Sequence, residues 1–175
     1  MFYPINLNNH PAILALGIST LIAFAAAALP QDVDQPIHIT GDTAEIDEPK
    51  GLIHYRGNVN LNQGTMVVNA SSMTIEVKNE KVVMVTARGS KETGPARYQQ
   101  KLRTDDSDVF ADADKIIYHM KKDFIELIGN AHLVQNENTL SGENISYDVK
   151  AGRVKASSGK SAQVQTTFES ASKKE

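Results

Sequence analysis

Apolar and polar residues alternate along most of the chain from position 36 onward. The alternating stretches are Ile37–Ile39, Ala44–Ile46, Ile53–Leu61, Met66–Ala70 and Met73–Val77. A period of two residues places successive side chains on opposite faces of a strand, and the β-branched residues that are frequent here favour strands. Gly, Asn, Asp and Pro residues, which favour turns, separate the stretches. The pattern therefore predicts an all-β domain, with no amphipathic helix of useful length after the first 28 residues.

This strand pattern occurs twice along the chain. Shifting the sequence by 72 positions aligns 42–82 with 114–154 without a gap, and ten of the 41 aligned pairs are identical. The first-copy members of the identical pairs are Asp42, Lys50, Ile53, Gly57, Asn58, Leu61, Gln63, Val77, Lys78 and Val82. Such a repeat indicates one supersecondary unit used twice, in which each copy buries the open face of the other.

Two glycine-asparagine pairs interrupt the strands at equivalent places in the copies. Gly57-Asn58 and Gly129-Asn130 lie inside strand-like runs. Because these residues tolerate positive φ, we expect a bulge or corner there, which lets one sheet bend over a second sheet. The polar segment 88–108 between the copies is expected to be a loose connector, with an edge strand at Pro95–Gln99. A last, weak strand is expected at 162–168.

The first 28 residues form a segment of different composition. They contain no Lys, Arg, Asp or Glu, and an apolar run from Ala12 to Leu29 includes four consecutive alanines, 25–28. This pattern is typical of a secretory signal peptide that is cleaved after Ala28. An uncleaved anchor helix is the alternative, although the run is short for a membrane span of ~20 residues. We therefore expect a signal peptide at 1–28, one domain at 29–168 and a disordered tail at 169–175.

Composition and charge exclude several classes of function. The formal net charge is −3 and no basic stripe with interleaved aromatic residues is present, so no nucleic acid is expected as a partner. Cysteine is absent from the sequence, which excludes disulfides, thiol catalysis and thiolate metal sites. The histidines lack the spacing of metal ligands. We therefore expect neither a metal nor a cofactor.

Three short motifs resemble catalytic or binding sites but lack an essential part. Gly159-Lys160-Ser161 lacks the first glycine of a phosphate-binding loop, because position 154 is Val. Ser157-x-x-Lys160 has no predicted helix to carry it, and the cluster Asp105–Asp108 lacks the glycine and glutamate of a calcium loop. We therefore predict that the chain is not an enzyme. An exported carbohydrate-active jellyroll enzyme is the alternative in that class, although the chain has no Trp for stacking on sugars.

A series of motifs covers most of residues 29–156. In chain order they are Asp34-Gln35-Pro36-Ile37-His38-Ile39, Tyr55-x-Gly57-Asn58-Val59, Gln63-Gly64-Thr65, Asn69-Ala70, Lys122-Asp123-Phe124, Leu127-x-Gly129-Asn130-Ala131 and Gly142-x-x-Ile145-x-Tyr147. In this order and spacing they resemble the OstA-like family of periplasmic lipopolysaccharide-transport bridge proteins of Gram-negative bacteria, except that 88–110 matches poorly. The resemblance implies an open, slightly twisted β-jellyroll of two antiparallel sheets, located in the periplasm, that carries the lipid between the sheets.

A lipid carrier of this kind needs an apolar slot. Each exposed methylene costs ~0.8 kcal/mol, so one twelve-carbon acyl chain of lipid A costs roughly 10 kcal/mol in water. Two sheets packed ~10 Å apart can shelter such chains between their inward-facing side chains. The slot-facing candidates are Ile37, Ile39, Ile46, Tyr55, Leu61, Val68, Ile75, Tyr118, Leu127, Leu133 and Tyr147. The resemblance gives most weight to Ile37 and Ile39.

The resemblance also implies partners at the two ends of the sheets. Members of the family bind lipopolysaccharide, connect an inner-membrane transport complex and its periplasmic anchor subunit to the N-terminal domain of an outer-membrane translocon, and stack end to end. Because open sheet edges pair with other chains, we expect head-to-tail self-association through these edges. The edge candidates are Gln35, Pro36, Ile37 and His38 at one end, with Ala162, Val164 and Phe168 at the other. A membrane-anchored component of the same pathway, with an uncleaved helix, is the alternative.

Overall fold

A computed structural model describes residues 31–101, 108–159 and 163–168. The described residues form two 3₁₀ turns, Gln31–Asp34 and Met120–Lys122, and twelve β-strands. The strands are β1 (His38–Thr40), β2 (Thr43–Asp47), β3 (Leu52–Gln63), β4 (Met66–Lys78), β5 (Lys81–Arg88), β6 (Ala96–Lys101), β7 (Asp108–Ala113), β8 (Lys115–His119), β9 (Phe124–Gln135), β10 (Asn138–Asp148), β11 (Arg153–Ser157) and β12 (Gln165–Thr167). The expected signal peptide, the expected tail and the edge candidate Ala162 lie outside the described residues.

Four long strands change neighbours along their length. β3 pairs with β2 through residues 52–56 and with β1 through residues 60–62. β4 pairs with β6 through 67–69 and with β5 through 72–78. β9 and β10 do the same in the second copy, with β8 and β7 against β9, and β11 and β12 against β10. Each long strand therefore has one set of neighbours along one part of its length and a different set along the other part. We call the two resulting parts of the sheet half-sheet 1 and half-sheet 2.

The two half-sheets have equivalent strand orders. In the described part of the chain, half-sheet 1 contains β2, β3, β4, β5, β8, β9, β10 and β11, and half-sheet 2 contains β1, β3, β4, β6, β7, β9, β10 and β12. All of these pairings are antiparallel. The buried apolar side chains form one core cluster, to which both half-sheets contribute. The predicted all-β fold of two antiparallel sheets is confirmed.

The half-sheets meet at two corners, which are the predicted glycine-asparagine pairs. Gly57 and Asn58 have φ values of 75° and 47°, and Gly129 and Asn130 have φ values of 79° and 46°. The β3–β4 register shifts between positions 56 and 59. A bulge with positive φ at successive residues bends the strand, and glycine takes that conformation without steric cost. β3 and β9 therefore pass from one half-sheet into the other at these two corners.

The repeat found in the sequence is also a repeat of structure. β2 and β8 begin and end 72 positions apart, and so do β3 and β9. Each copy thus contributes a short strand, a corner and a long hairpin. The two copies lie side by side in both half-sheets, with β5 and β6 completing the first copy against β8 and β7 of the second.

The segment between the copies differs from the expectation. The strand expected at Pro95–Gln99 is present as β6, but β6 pairs with β4 on one side and β7 on the other, so the expected edge position in a loose connector is wrong. Its side chains alternate strictly, with Ala96, Tyr98 and Gln100 buried. Because Gln100 is polar although its side chain faces inward, the sequence of β6 does not show the usual alternation of apolar and polar residues. The side-chain amide of Gln100 accepts a hydrogen bond from Tyr98 and donates one to Asp32, so its polar atoms have partners inside the core.

Candidate functional site

The inner face of half-sheet 1 carries two uninterrupted apolar rows. The strand register places side by side Ile46, Ile53, Ile75, Val85, Tyr118, Ile125, Tyr147 and Val154. The next row towards the corner contains Ala44, Tyr55, Met73, Ala87, Ile116, Leu127, Ile145 and Ala156. Residues two apart on one strand share a face, so both rows face the interior. An apolar surface thus spans all eight strands.

Half-sheet 2 supplies the opposing wall. Its matching row contains Ile39, Leu61, Val68, Tyr98, Ala111, Leu133, Leu140 and Thr166. Positions nearer the corner are mostly small, namely Val59, Ala70, Ala96, Ala113, Ala131 and Gly142. In half-sheet 2 the side chains are therefore smaller near the corner than farther from it.

The structure brings together ten of the eleven residues predicted to face the slot. Seven are buried in the core cluster: Leu61, Val68, Ile75, Tyr118, Leu127, Leu133 and Tyr147. Ile37, Ile39 and Tyr55 are partly buried against the cluster. Ile46 stands apart, since 69% of its surface is exposed although it lies on the same inner row as the fully buried Ile75. The apolar row thus continues past its cover at the β1–β2 end.

The middle of the interior is filled with side chains. A cavity of about 10 Å³ remains between the half-sheets. Its lining comes from both walls and comprises Leu61, Met66, Val68 and Tyr98 of half-sheet 2, with Val85, Ala87, Ile116 and Tyr118 of half-sheet 1. A space of this size is at the lower limit for a single water molecule. The expected room for acyl chains is therefore not open at the centre, and the half-sheets must separate to admit a chain there.

Two tyrosines bring polar atoms to the side of the interior farthest from the corners. Tyr118 donates a hydrogen bond from its hydroxyl to Asp123 Oδ1 at 2.7 Å, and Tyr98 donates to Gln100 Oε1. Burial raises the pKa of both hydroxyls, and the charges of Asp123 and Asp32 raise the pKa further. The sequence reasoning missed Tyr98, Gln100 and Asp32, because their segments gave no apolar alternation.

The strand edges lie at opposite ends of the half-sheets. The predicted edge residues Gln35, Pro36 and His38 are exposed next to β1, with Ile37 partly buried. At the other end, Phe168 is 74% and Val164 is 40% exposed beside β12. Within the described residues, β12 pairs with β10 at Thr139–Thr167, Leu140–Thr166 and Ser141–Gln165. Both ends thus have an outer strand and exposed apolar side chains.

Within 31–101, 108–159 and 163–168, no helix is long and apolar enough to cross a membrane. In the same residues, no three His, Cys, Asp or Glu side chains stand close enough to hold a metal ion.

The family comparison matches residues 38–153 to the family described as LptA/(LptD N-terminal domain) LPS transport protein. The matched range runs from β1 to the start of β11 and therefore spans both copies of the repeat. It also includes segment 88–110, which matched the family poorly by motif alone.

Curated relatives cover most of the chain. The lipopolysaccharide export system protein LptH of Pseudomonas aeruginosa is 34% identical over 158 residues, which are 90% of this chain and 87% of LptH. The protein LptA of Haemophilus influenzae is 33% identical over 89% of this chain and 90% of LptA. LptA of Escherichia coli K12 is 32% identical over 89% of this chain and 83% of its own length.

A solved structure shows the same fold. The crystal structure of LptH, the LptA-homologous periplasmic component of the lipopolysaccharide transport device of Pseudomonas aeruginosa, superposes with a TM-score of 0.73 at 30% identity. The match covers 81% of this chain and 100% of the LptH chain. With the family range, the curated relatives and the superposed fold in agreement, this chain belongs to the LptA/LptD N-terminal domain family of lipopolysaccharide transport proteins.

Proposed function

We propose that this chain binds lipopolysaccharide by the acyl chains of lipid A, between its two half-sheets, and passes it along as the periplasmic component of a lipopolysaccharide export system. The names of its relatives support the class of cargo, since LptA and LptH are lipopolysaccharide export system proteins. The proposal assigns it no catalytic step: the work of transport is binding, release and alignment with the next component.

One observation carries this proposal. The inner rows of both half-sheets run from the β1–β2 end to the β11–β12 end, and the row of half-sheet 1 is apolar at every position. In an ordinary core, inward-facing apolar side chains end where the opposing sheet no longer covers them. In half-sheet 1 the apolar row instead continues to Ile46, which is 69% exposed. An exposed apolar end on a continuous apolar track suits a cargo that arrives from outside the domain.

The energetics also suit a transient cargo. Burying one twelve-carbon acyl chain gains roughly 10 kcal/mol, so several chains can offset the separation of two packed walls. When the lipid leaves, the walls close on each other, as in the filled interior around the 10 Å³ cavity. The apolar inner faces of the two walls then cover each other between two rounds of transport.

We place the partners at the two ends of the half-sheets. An edge strand offers unpaired N–H and C=O groups, so another domain of the same fold can extend both half-sheets at once. Such a junction would cover Ile46 at one end or Val164 and Phe168 at the other. It would also continue the apolar rows into the next domain. The proposed partners are a second copy in head-to-tail order, the periplasmic anchor subunit of the inner-membrane complex, and the N-terminal domain of the outer-membrane translocon.

We further propose that residues 1–28 are a signal peptide and that the domain 29–168 works in the periplasm. The charge-free apolar leader and its alanine-rich end support this assignment. Mass spectrometry of the mature N-terminus checks it. An intact leader would instead support the membrane-anchored alternative.

The test of the proposed function is photocrosslinking of single positions in cells, followed by a blot for lipopolysaccharide. A photoreactive residue at Ile39, Ile37 or Tyr118 should crosslink lipopolysaccharide, because all three lie on the interior side. The matched control is Thr40, the exposed neighbour of Ile39 on the same strand but on the opposite face. Equal crosslinking at Ile39 and Thr40, or none at any interior position, would refute binding between the half-sheets.

A further inference from the structure

The N-terminal turn, Gln31–Asp34, is held on the side of the interior farthest from the corners. That side contains the free ends of both half-sheets: the β3–β4 turn and the end of β6 belong to half-sheet 2, and the β8–β9 turn belongs to half-sheet 1. The turn precedes β1 and does not pair with a strand. Nevertheless, the side chain of Asp32 is only 5% exposed. A carboxylate is rarely buried to this extent unless dedicated partners hold it.

The β3–β4 turn and β6 provide these partners. The carboxylate of Asp32 accepts hydrogen bonds from Thr65 N at 2.8 Å, Thr65 Oγ1 at 2.5 Å and Gln100 Nε2 at 2.8 Å. Gly64 lies beside it with φ of 58°, and a Cβ atom at this position would collide with the Asp32 carboxylate. The side chain of Gln63 donates to the backbone oxygen of Gln35, at 3.1 Å, which fixes the end of the turn. Half-sheet 2 is thus shaped to receive the turn.

The same hydrogen bonds lead into the apolar interior. Gln100, which donates to Asp32, also accepts a hydrogen bond from Tyr98, and Tyr98 lines the central cavity with Met66. On the opposing wall Tyr118 lines the same cavity and donates to Asp123 in the β8–β9 turn. The electrostatic influence of Asp32 reaches both tyrosines and contributes to their raised pKa. The turn therefore lies on half-sheet 2, at the side of the interior where the hydroxyls of both tyrosines lie.

We propose that the N-terminal turn is a lid over the gap between the walls on this side, locked by Asp32, and that the lipid reaches the interior from the side once the lid is released. This inference rests on the proposed function, and it adds where the lipid enters and which contacts hold the cover over that entrance. Release of Asp32 frees the N–H of Thr65 and the side-chain amide N–H of Gln100. These donors suit the phosphates and sugar hydroxyls of a lipid A headgroup that remains outside while its acyl chains enter.

The first test measures opening without any lipid. The chain contains no cysteine, so Met66→Cys introduces a single thiol at a buried position between the walls. Its rate of labelling by a maleimide reports how often the gap opens. In the Met66→Cys background, Asp32→Asn should raise this rate at least about tenfold, because it weakens hydrogen bonds to a charged acceptor. Asp34→Asn is the matched control, since it removes the same charge from an exposed residue of the same turn.

Thr65→Val is a second opening variant, which keeps the side-chain shape and removes one donor to Asp32, together with the acceptor of the Lys101 backbone N–H at 3.3 Å. It keeps the proposal testable if Asp32→Asn fails to fold, as circular dichroism would show. Labelling that is equally slow in Thr65→Val, Asp34→Asn and the parent overturns the lid. So does a rate that rises as much in Asp34→Asn as in Asp32→Asn.

The second test adds vesicles that contain fluorescent lipid A. The loading rate should rise in Asp32→Asn and Thr65→Val in parallel with thiol labelling, while Asp34→Asn loads like the parent. If the parent protein takes up no lipid A, the proposed function fails and the labelling experiment still decides on the lid. If the parent loads lipid but the opening variants load at the parent rate, lateral access fails and the proposed function stands.

Discussion

Asp42 donates its backbone N–H to the carbonyl oxygen of Gly57 at 2.9 Å, across the corner between the half-sheets. The Asp42 carboxylate accepts from Asn58 Nδ2 at 3.0 Å, so one aspartate closes the corner with two hydrogen bonds. The second copy repeats both bonds at the same distances, with Asp114 bound to Gly129 and Asn130. The same hydrogen-bonded corner is therefore used in both copies of the repeat.

Gly57→Ala should lower the free energy of unfolding by about 2–3 kcal/mol. An alanine at φ of 75° costs about 1–2 kcal/mol of backbone strain, and the added Cβ collides with the Asp42 carboxylate. Gly129→Ala should behave alike, because its Cβ would collide with Asp114. Urea denaturation followed by circular dichroism measures the change.

Gly152→Ala separates the two contributions. Gly152 has φ of 61°, and apart from its chain neighbours no described residue comes within 4 Å of an added Cβ, so this variant carries the backbone strain without the collision. It should be destabilised by about 1 kcal/mol. If Gly57→Ala is no less stable than Gly152→Ala, the Asp42 carboxylate does not restrict the corner.

Ile46→Asp should leave the fold intact and impair lipid transfer. A side chain that is 69% exposed contributes little to folding, so the change in unfolding free energy should stay within about 0.5 kcal/mol. In contrast, a carboxylate at the uncovered end of the apolar row would sit in the path of the acyl chains. The measurement is the transfer of fluorescent lipid A between two preparations of the protein. Glu45→Asp, at an exposed position next to it in β2, is the control, and equal transfer in both variants would contradict the assigned role of Ile46.

Local and repeated features of this fold could be predicted from the sequence. The corners could be predicted because Gly57-Asn58 and Gly129-Asn130 interrupt strand-like runs at positions where no hairpin turn is expected. The slot-facing residues were readable because strand alternation is local, and ten of them do lie in or against the core. The exposure of Ile46 could not be predicted from the sequence, because it depends on how far half-sheet 2 extends over half-sheet 1. Alternation assigns a face to a residue, and only the tertiary structure decides whether that face is covered.

The features that were missed depend on contacts between distant positions. Asp32 bonds to Thr65, 33 positions away, and to Gln100, 68 positions away. No periodic pattern contains such a pair. The inner position of β6 was missed for a related reason, because the sequence suggests that Gln100 is a surface residue until its buried partners Tyr98 and Asp32 are known.

Phe168→Ser should reduce the size of head-to-tail oligomers. Phe168 is 74% exposed beside the terminal strand β12, where apolar area is available to a second copy. Burial of one such side chain contributes about 1.5–3 kcal/mol, so its loss should weaken association roughly 10- to 100-fold. Light scattering over a concentration series measures the shift. Deletion of 164–175 should have a larger effect.

Phe110→Ser is the matched control for this edge. Phe110 is 44% exposed on β7, an inner strand of half-sheet 2, so it lies away from both strand edges. Its replacement should leave the oligomer size unchanged. If Phe110→Ser dissociates the oligomers and Phe168→Ser does not, the contact between copies uses the outer face of half-sheet 2 instead of the edges.

Stability should fall steeply at alkaline pH because of Tyr98 and Tyr118. Burial, with smaller contributions from Asp123 and Asp32, raises the pKa of both phenols in the folded state above the usual value of about 10. The neutral phenols therefore stabilise the fold fully below pH ~10, and this stabilisation is lost as the pH rises towards the folded-state pKa values. Each tyrosine should remove about 1.4 kcal/mol per pH unit in that window.

Urea denaturation at pH values of about 9, 10 and 11 measures this slope. Tyr118→Phe should be less stable than the parent at about pH 9, since it loses the hydrogen bond to Asp123, and its stability should decline less between about pH 10 and 11. The comparison of slopes cancels the titration of lysines, which both proteins share. Equal slopes in the two proteins would mean that Tyr118 ionises in the folded state as readily as in water, and that its hydroxyl is not enclosed between the half-sheets.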